Sequence, residues 1–129
     1  IWDNCGMARS AEGLRQPHQA VQRVRESFYR DLKLTGSADS LNQSLEKAMR
    51  LQDFIELGEL MIIDALDRNE SCGCHLREEY QTPEGEAQRN DEDYRYVAAW
   101  SYTGDNSAPA LTKEPLEFEN VKLVQRSYK

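Results

Sequence analysis

Hydrophobic positions organise the chain around one long segment, from Ser37 to Tyr80. Many of its apolar residues recur three, four or seven positions apart, which is the spacing of one helical face: Leu41, Leu45, Ala48, Leu51, Ile55, Ile62 and Leu66. A second apolar set widens this face until the later half is apolar nearly all round: Met49, Phe54, Leu57, Leu60, Met61 and Ile63. Such a helix is typically buried among several neighbours. The pattern predicts a central helix over about 38–69, with Ser37 or Ser40 as its N-cap.

A second amphipathic helix is predicted just before it, over about 11–33. Its apolar positions are Leu14, Val21, Val24, Phe28 and Leu32, and Ser10 is the expected N-cap. Pro17 complicates this helix, because an internal proline removes a hydrogen bond at a cost of about 3 kcal/mol. We expect either a helix that starts near Gln16 or a kink. Residues 1–5 fit the last turn of an upstream helix, ended by Gly6 in a left-handed cap.

The rest of the chain predicts irregular structure and a small β pair. Residues 69–95 contain many charges and few large apolar side chains. The run YRYVAAWSYT predicts a strand over about 95–103, and LEFENVKLV predicts an antiparallel partner over about 116–124. The predicted fold is therefore mainly α. An up-down, three-helix, spectrin-repeat-like bundle covers 1–71 with its first helix largely missing, and an irregular extension with the β pair covers 72–129 in the same structural unit.

Composition and charge limit the classes of function. A chain of 129 residues suits one domain or a fragment of a larger protein. The net charge of −7 argues against a general nucleic-acid surface, which needs Lys and Arg. Three cysteines cannot form a complete disulfide framework, so we expect a reducing, intracellular setting. Because the sequence starts Ile1-Trp2-Asp3 without an initiator Met, we also expect a cut inside a longer protein.

The run from Cys72 to His75 reads Cys-Gly-Cys-His and suggests a metal site. Thiolates and imidazole suit zinc, but a structural zinc site needs four ligands at workable spacing. The other candidates, Cys5 and His18, lie far away in the sequence, and the C-x-x-C spacing of a redox pair is absent. The alternative is a turn of small side chains, and we assign no metal ligand.

His75 also stands near charged side chains, those of Arg77, Glu78 and Glu79. General acid–base catalysis needs a titratable group positioned against the substrate. One histidine beside charges does not indicate such a group, so a structural His75 is the favoured interpretation. Gly-rich phosphate loops and a G-x-S-x-G motif are absent. We assign no catalytic or cofactor-binding residue.

Two further groups of side chains suggest surfaces. Tyr96, Trp100 and Tyr102 share one strand parity and form either a binding platform or one buried sheet face. The early helix region is basic, and four of its arginines could face an acidic partner surface or solvent: Arg9, Arg15, Arg23 and Arg25.

Several stretches, in order, resemble one family. Trp2–Leu14 resembles the start of the C-terminal helical domain in the flavoprotein subunit of succinate dehydrogenases and fumarate reductases. Glu59–Ser71 resembles the end of that domain's third helix, and Asn90–Tyr94 its following acidic segment. Leu116–Phe118 and Arg126–Tyr128 resemble its closing strand and tail.

The turn after the long helix also resembles that family, whose members usually read Ser-Arg-Gly-Ala-His-x-Arg-x-Asp there. Cys72 stands where Arg is usual and Glu79 where Asp is usual. The matching residues are Ser71, Gly73, His75 and Arg77. A charged member of the motif is therefore missing, which makes a catalytic role for this turn less expected.

The resemblance implies a parent subunit that binds FAD in an upstream Rossmann-type domain and interconverts succinate and fumarate by hydride transfer. The proton-donating Arg and the dicarboxylate-binding residues of the family lie upstream, so none is assigned here. This chain would be a structural domain that packs on the FAD-binding domain, without cofactor or activity of its own, and able to self-associate when isolated.

Implied partners are an iron–sulfur subunit and a membrane cytochrome b subunit, at the cytoplasmic side of the inner membrane, with no nucleic acid. The alternatives are a stand-alone helical interaction module, a small metal-binding protein, and the C-terminal domain of a related oxidase such as L-aspartate oxidase. The physiological direction of the reaction stays open.

Overall fold

The computed structural model describes residues 1–104, 107–125 and 127, and its contacts divide the chain into two units. The N-terminal unit is Ile1–Asp67, and it contains β1 (Ala8–Arg9), α1 (Ala11–Asp31) and α2 (Gln43–Asp67). The C-terminal unit starts at Arg68, and it contains β2 (Leu76–Arg77), α3 (Asp91–Tyr94), β3 (Tyr96–Ser101) and β4 (Ala110–Pro115). The expectation that both form one structural unit stays a prediction. Neither long helix in the described part of the chain combines the length and the hydropathy needed to cross a bilayer.

Helix α1 begins where the sequence predicts. Ser10 is extended at φ −127°, and its hydroxyl accepts a hydrogen bond from the Gly13 N–H at 3.1 Å, so the Ser10 N-cap is confirmed. The helix then continues through Pro17, and the alternative of a start near Gln16 is wrong. Pro17 is buried, so contact of its ring with the interior offsets part of the lost hydrogen bond.

Helix α2 begins later than the sequence predicts. Both proposed N-caps, Ser37 and Ser40, are wrong, because residues 37–42 are not helical. Asn42 caps the helix instead: its Oδ1 atom accepts from the Ser44 N–H at 3.0 Å and from the Leu45 N–H at 3.2 Å. Asn and Ser are about equally good N-caps, so the local signal alone does not choose among the three positions.

The two long helices pack as an antiparallel pair. Leu14, near the start of α1, clusters with Ile62 and Ala65 near the end of α2, and all three are at most 1% exposed. At the opposite end, Phe28 of α1 lines a groove together with Leu51 of α2. The mainly helical fold class, with up-down helices, is therefore confirmed for this unit.

The first residues form one turn, and the expectation that this turn ends an upstream helix stays a prediction. The Cys5 N–H donates to the Ile1 carbonyl at 2.8 Å, and Cys5 is buried in the core cluster. The left-handed cap at Gly6 is wrong, because the glycines with positive φ are Gly36, Gly73, Gly85 and Gly104. The chain passes instead directly into β1.

The C-terminal unit contains the predicted antiparallel β pair, but its second strand is misplaced in our prediction. Strand β3 falls inside the expected range, and its partner β4 ends at Pro115, before the predicted 116–124 strand. The register pairs Tyr96 with Pro115 and Trp100 with Leu111. A partner at 110–115 needs a shorter connecting loop, and a shorter loop loses less entropy on closure.

Candidate functional site

A buried polar network in the C-terminal unit contains most of the residues that the sequence singles out. We call it the turn network: residues 68–77 together with Asn90. Its buried carboxylate is Glu70, which is 2% exposed. One oxygen of Glu70 accepts from Arg68 Nε at 2.8 Å, and the other accepts from the Asn90 N–H at 2.8 Å. Both oxygens are thus paired, as a buried charge requires.

Ser71 joins the two sides of the network through one fully buried hydroxyl group. The Arg77 N–H donates to Ser71 Oγ at 2.8 Å, and Ser71 Oγ donates to the Arg77 carbonyl at 3.1 Å. The Ser71 N–H donates to the Gln88 carbonyl at 2.9 Å. One side chain therefore fixes the segment before the turn to the segment after it.

The turn between these segments is tight. The Cys72 N–H donates to the His75 carbonyl at 2.9 Å, and the His75 N–H donates to the Cys72 carbonyl at 3.1 Å. Gly73 has φ +61°, the conformation that a two-residue hairpin loop requires at this position. Both cysteines are free thiols; Cys74 is exposed and Cys72 is half-buried.

His75 and Arg77 converge on one main-chain atom, the Arg68 carbonyl oxygen. The His75 Nε2 atom lies 2.9 Å from it and an Arg77 guanidinium nitrogen 3.4 Å from it. Arg77 is 2% exposed, and its Nε donates to Glu79 at 3.2 Å. The structure thus joins Arg77 to both the Arg68 carbonyl, which His75 also contacts, and the exposed Glu79. These contacts hold the backbone and favour the structural interpretation of His75.

Two tyrosines of the same unit lie against the Arg68 side chain, and exposure is much greater for the tyrosine beyond the end of the strand. The Arg68 guanidinium lies 5.8 Å from the centre of the Tyr94 ring and 5.7 Å from that of the Tyr96 ring. Tyr96 is 6% exposed, whereas Tyr102 lies beyond β3 and is 77% exposed. The structure therefore favours a buried sheet face around Tyr96 over an aromatic binding platform.

Arg89 lies beside the turn network. It donates to both carboxylate oxygens of Asp91, at 2.6 and 2.7 Å, and to the Val124 carbonyl at 3.1 Å. The hydrogen bond to Asp91 raises the pKa of Arg89, desolvation opposes this, and the negative charges of Asp91, Cys72 and Glu70 raise the pKa further. Arg89 is thus a cation that Asp91 and the Val124 carbonyl hold in place.

The N-terminal unit has a polar cluster that the sequence analysis missed. Glu59 is 9% exposed in the interface between the two long helices, and it forms an ion pair with Arg25. Gln22 Nε2 donates to Glu59 at 3.4 Å, and His18 Nε2 lies 3.6 Å from it. The sequence left an acidic partner surface or solvent open for Arg25, and the structure instead pairs Arg25 with Glu59 of the same chain. The sequence did contain a signal for this cluster: His18, Gln22 and Arg25 lie four and three positions apart, so they share one side of α1.

The other candidate metal ligands belong to the N-terminal unit. Cys5 lies in the core of the N-terminal unit and His18 beside Glu59. Among residues 1–104, 107–125 and 127, no group of three or more His, Cys, Asp and Glu is arranged to hold a metal ion. The described residues therefore give the zinc interpretation no further support.

Tail residues Arg126 and Tyr128 of the family resemblance lie outside the described residues. Within the described part of the chain, every buried side-chain nitrogen and oxygen atom has a hydrogen-bond partner. Together, these features define a mainly helical chain with a small antiparallel β pair and buried polar groups that are paired within the chain.

The comparisons identify the family. Residues 1–128 match the family described as "Fumarate reductase flavoprotein C-term", and the chain belongs to this family. Its structure is similar to that of the FrdA subunit of E. coli quinol fumarate reductase in a single-site mutant form, with a TM-score of 0.81 at 20% sequence identity. The match covers 96% of this chain and 20% of that subunit, so the chain spans about a fifth of the subunit's length. No curated protein matches the chain in sequence.

Proposed function

We propose that this chain is the structural C-terminal domain of the flavoprotein subunit of a succinate dehydrogenase or fumarate reductase. In that subunit it supports the FAD-binding domain, which interconverts succinate and fumarate. The flavin and the catalytic residues belong to other parts of the subunit, so this chain alone binds no cofactor and is inactive. Family membership supports the identity of the parent subunit. One surface feature supports the proposal that this chain packs on the FAD-binding domain.

That feature is an apolar stripe on α2 that is largely exposed in the described part of the chain. We call it the α2 stripe: Phe54, Leu57 and Met61, which are 64%, 55% and 42% exposed. They lie three and four positions apart, so they occupy one side of the helix. Ile55 and Ile62, on the side that meets α1, are at most 7% exposed. Contiguous exposed apolar side chains typically mark an interaction surface.

The FAD-binding domain of the same subunit is the proposed partner of the α2 stripe. Burying one large apolar side chain contributes about 1.5–3 kcal/mol, so three such residues supply a substantial part of an interdomain contact. By family membership we also propose an iron–sulfur subunit and a membrane cytochrome b subunit as further partners. The parent complex would be peripheral, at the cytoplasmic side of the inner membrane.

The test is Leu57→Lys in the full-length flavoprotein. We expect less bound FAD per protein, measured by flavin absorbance, and slower succinate-dependent dye reduction. Loss of about 2 kcal/mol of apolar contact weakens the domain contact about thirtyfold. Glu56→Lys is the matched control, because Glu56 is exposed one residue earlier, away from the α2 stripe. Full flavin content and full activity in Leu57→Lys would refute the proposed support.

The same preparation separates the alternative parents. A succinate dehydrogenase or fumarate reductase reduces a dye with succinate, whereas an L-aspartate oxidase consumes L-aspartate instead. If the full-length protein binds no flavin and oxidises neither substrate, the stand-alone interaction module becomes the better interpretation. These assays do not depend on the effect of the Leu57 variant.

A further inference from the structure

The tight turn holds two free thiols on either side of Gly73. Residues two positions apart have Cα atoms at most about 7 Å apart, and a turn brings them closer. This overlaps the Cα separation of about 4.4–6.8 Å found across disulfides. Cys74 is exposed and Cys72 is half-buried, so small reactants can reach the pair.

A cation lies on the segment that runs beside one of these thiols. Because the Ser71 N–H donates to the Gln88 carbonyl, the segment that carries Arg89 runs beside the segment that carries Cys72. Asp91 and the Val124 carbonyl hold the guanidinium of Arg89 in place. The contribution of Cys72 to the raised pKa of Arg89 is consistent with this proximity. The thiolate is the reactive form of cysteine, and a nearby cation stabilises the negative charge that passes from the sulfur to the leaving oxygen.

We propose that Cys72 and Cys74 form a reversible thiol–disulfide switch that responds to peroxides. The Cys72 thiolate attacks one peroxide oxygen, the O–O bond breaks, and hydroxide leaves, which gives a sulfenic acid on Cys72. The Cys74 thiolate then attacks the Cys72 sulfur and expels the second hydroxide, and both hydroxides take up the protons that the thiols release. Two thiols and one peroxide thus give one disulfide and two waters.

Closing this bond alters the turn network. A disulfide between residues two positions apart forms a small ring, and departures from ideal disulfide geometry store strain. That strain works against the two main-chain hydrogen bonds between Cys72 and His75. Strained and exposed disulfides are also the easily reduced ones, so a cellular thiol reverses the step. The switch goes beyond the proposed supporting role and does not depend on it.

The experiment uses the full-length protein, treated with hydrogen peroxide and then with an alkylating reagent. We expect the peptide that contains Cys72 and Cys74 to lose two hydrogens and to resist alkylation until dithiothreitol is added. Amide exchange at Cys72 and His75 should increase in the oxidised form. Two thiols that stay alkylatable, or a disulfide only between two molecules, would overturn the switch.

Variants assign the individual roles. Cys74→Ser should leave a sulfenic acid on Cys72 that a dimedone probe traps, whereas Cys72→Ser should give neither product. Arg89→Gln should slow the oxidation about tenfold, and Arg89→Lys should restore it, because a nearby cation stabilises the negative charge that develops on the leaving oxygen. Arg95→Gln is the matched control, since Arg95 is an exposed arginine of the same unit. Oxidation of Arg89→Gln at the unaltered rate would overturn the proposal as stated.

Discussion

The Arg25–Glu59 ion pair predicts an asymmetric response to mutation. Glu59 has a side chain that is 12% exposed, whereas the Arg25 side chain is 31% exposed. Arg25→Met leaves a buried carboxylate whose remaining contacts are Gln22 at 3.4 Å and His18 at 3.6 Å. Glu59→Met leaves a guanidinium that can turn towards water. Removal of the arginine should therefore destabilise the helix pair more than removal of the glutamate.

The magnitudes follow from burial. Removing one partner of a fully buried ion pair costs about 3–5 kcal/mol, and an exposed pair contributes about 0–1 kcal/mol. Because Gln22 and His18 still contact Glu59, we expect Arg25→Met to cost about 2–3 kcal/mol. Glu59→Met should cost about 1 kcal/mol or less. The double variant should lie close to the unaltered chain, because apolar replacement of both charges is often neutral.

Urea unfolding of the purified chain measures these differences. Circular dichroism follows the helical signal, most of which comes from α1 and α2, and linear extrapolation gives the free energy of unfolding. Arg30→Met is the matched control, because Arg30 pairs with Asp31 at an exposed site and should leave stability nearly unchanged. The reasoning fails if Glu59→Met lowers the free energy of unfolding more than Arg25→Met does. It also fails if the loss in the double variant equals the sum of the two single losses.

Four further outcomes follow from the packing and the turn. Ile62→Ala should lower the free energy of unfolding by about 2–5 kcal/mol, because Ile62 is fully buried. Met61→Ala, at 42% exposure, should cost about 1 kcal/mol or less in the same urea titration, and equal losses would contradict the core assignment. Ser71→Ala should lower the free energy of unfolding by about 2–3 kcal/mol, because it removes the hydroxyl that bonds to the Arg77 N–H and to the Arg77 carbonyl. Thermal unfolding measures this loss, and an unchanged melting temperature would argue against it. Gly73→Ala should destabilise the turn by about 1 kcal/mol, and Gly73→Asn should destabilise it less. Gly73 has open space around it, so only its φ of +61° opposes a side chain. Amide exchange across the turn measures both effects, and equal protection from exchange in the two variants would contradict this reason.

Local signals predicted the elements better than their ends. Ser10 precedes a clear apolar period, and its hydroxyl caps α1 as expected. The start of α2 was missed because Ser37, Ser40 and Asn42 are all competent caps. Only the conformation of residues 32–42 decides which of the three is the N-cap. That conformation depends on where α2 can first contact α1. Pro17 shows the same limit, because burial of its ring cannot be read from the local sequence.

Pairing partners were harder to predict than strands. The run at 116–124 alternates better than Ala110–Pro115, yet the latter pairs with β3. Strand pairing is decided by loop closure and by the partner's side chains, such as Trp100 opposite Leu111, and neither is a property of one segment. Glu59 was missed for the same reason, since an acidic residue in an apolar face becomes informative only when its donors on α1 are known.

The contact between His75 and the Arg68 carbonyl fixes where one proton resides. A carbonyl oxygen only accepts, so the ring nitrogen 2.9 Å away, Nε2, must be the donor. The ring is only 9% exposed, so its Nε2 hydrogen is sheltered from solvent. In this tautomer Nε2 has no free lone pair, so the imidazole cannot coordinate a metal ion through Nε2 without losing that proton and breaking the bond. A slowly exchanging imidazole resonance in the proton NMR spectrum should report that the bond is intact.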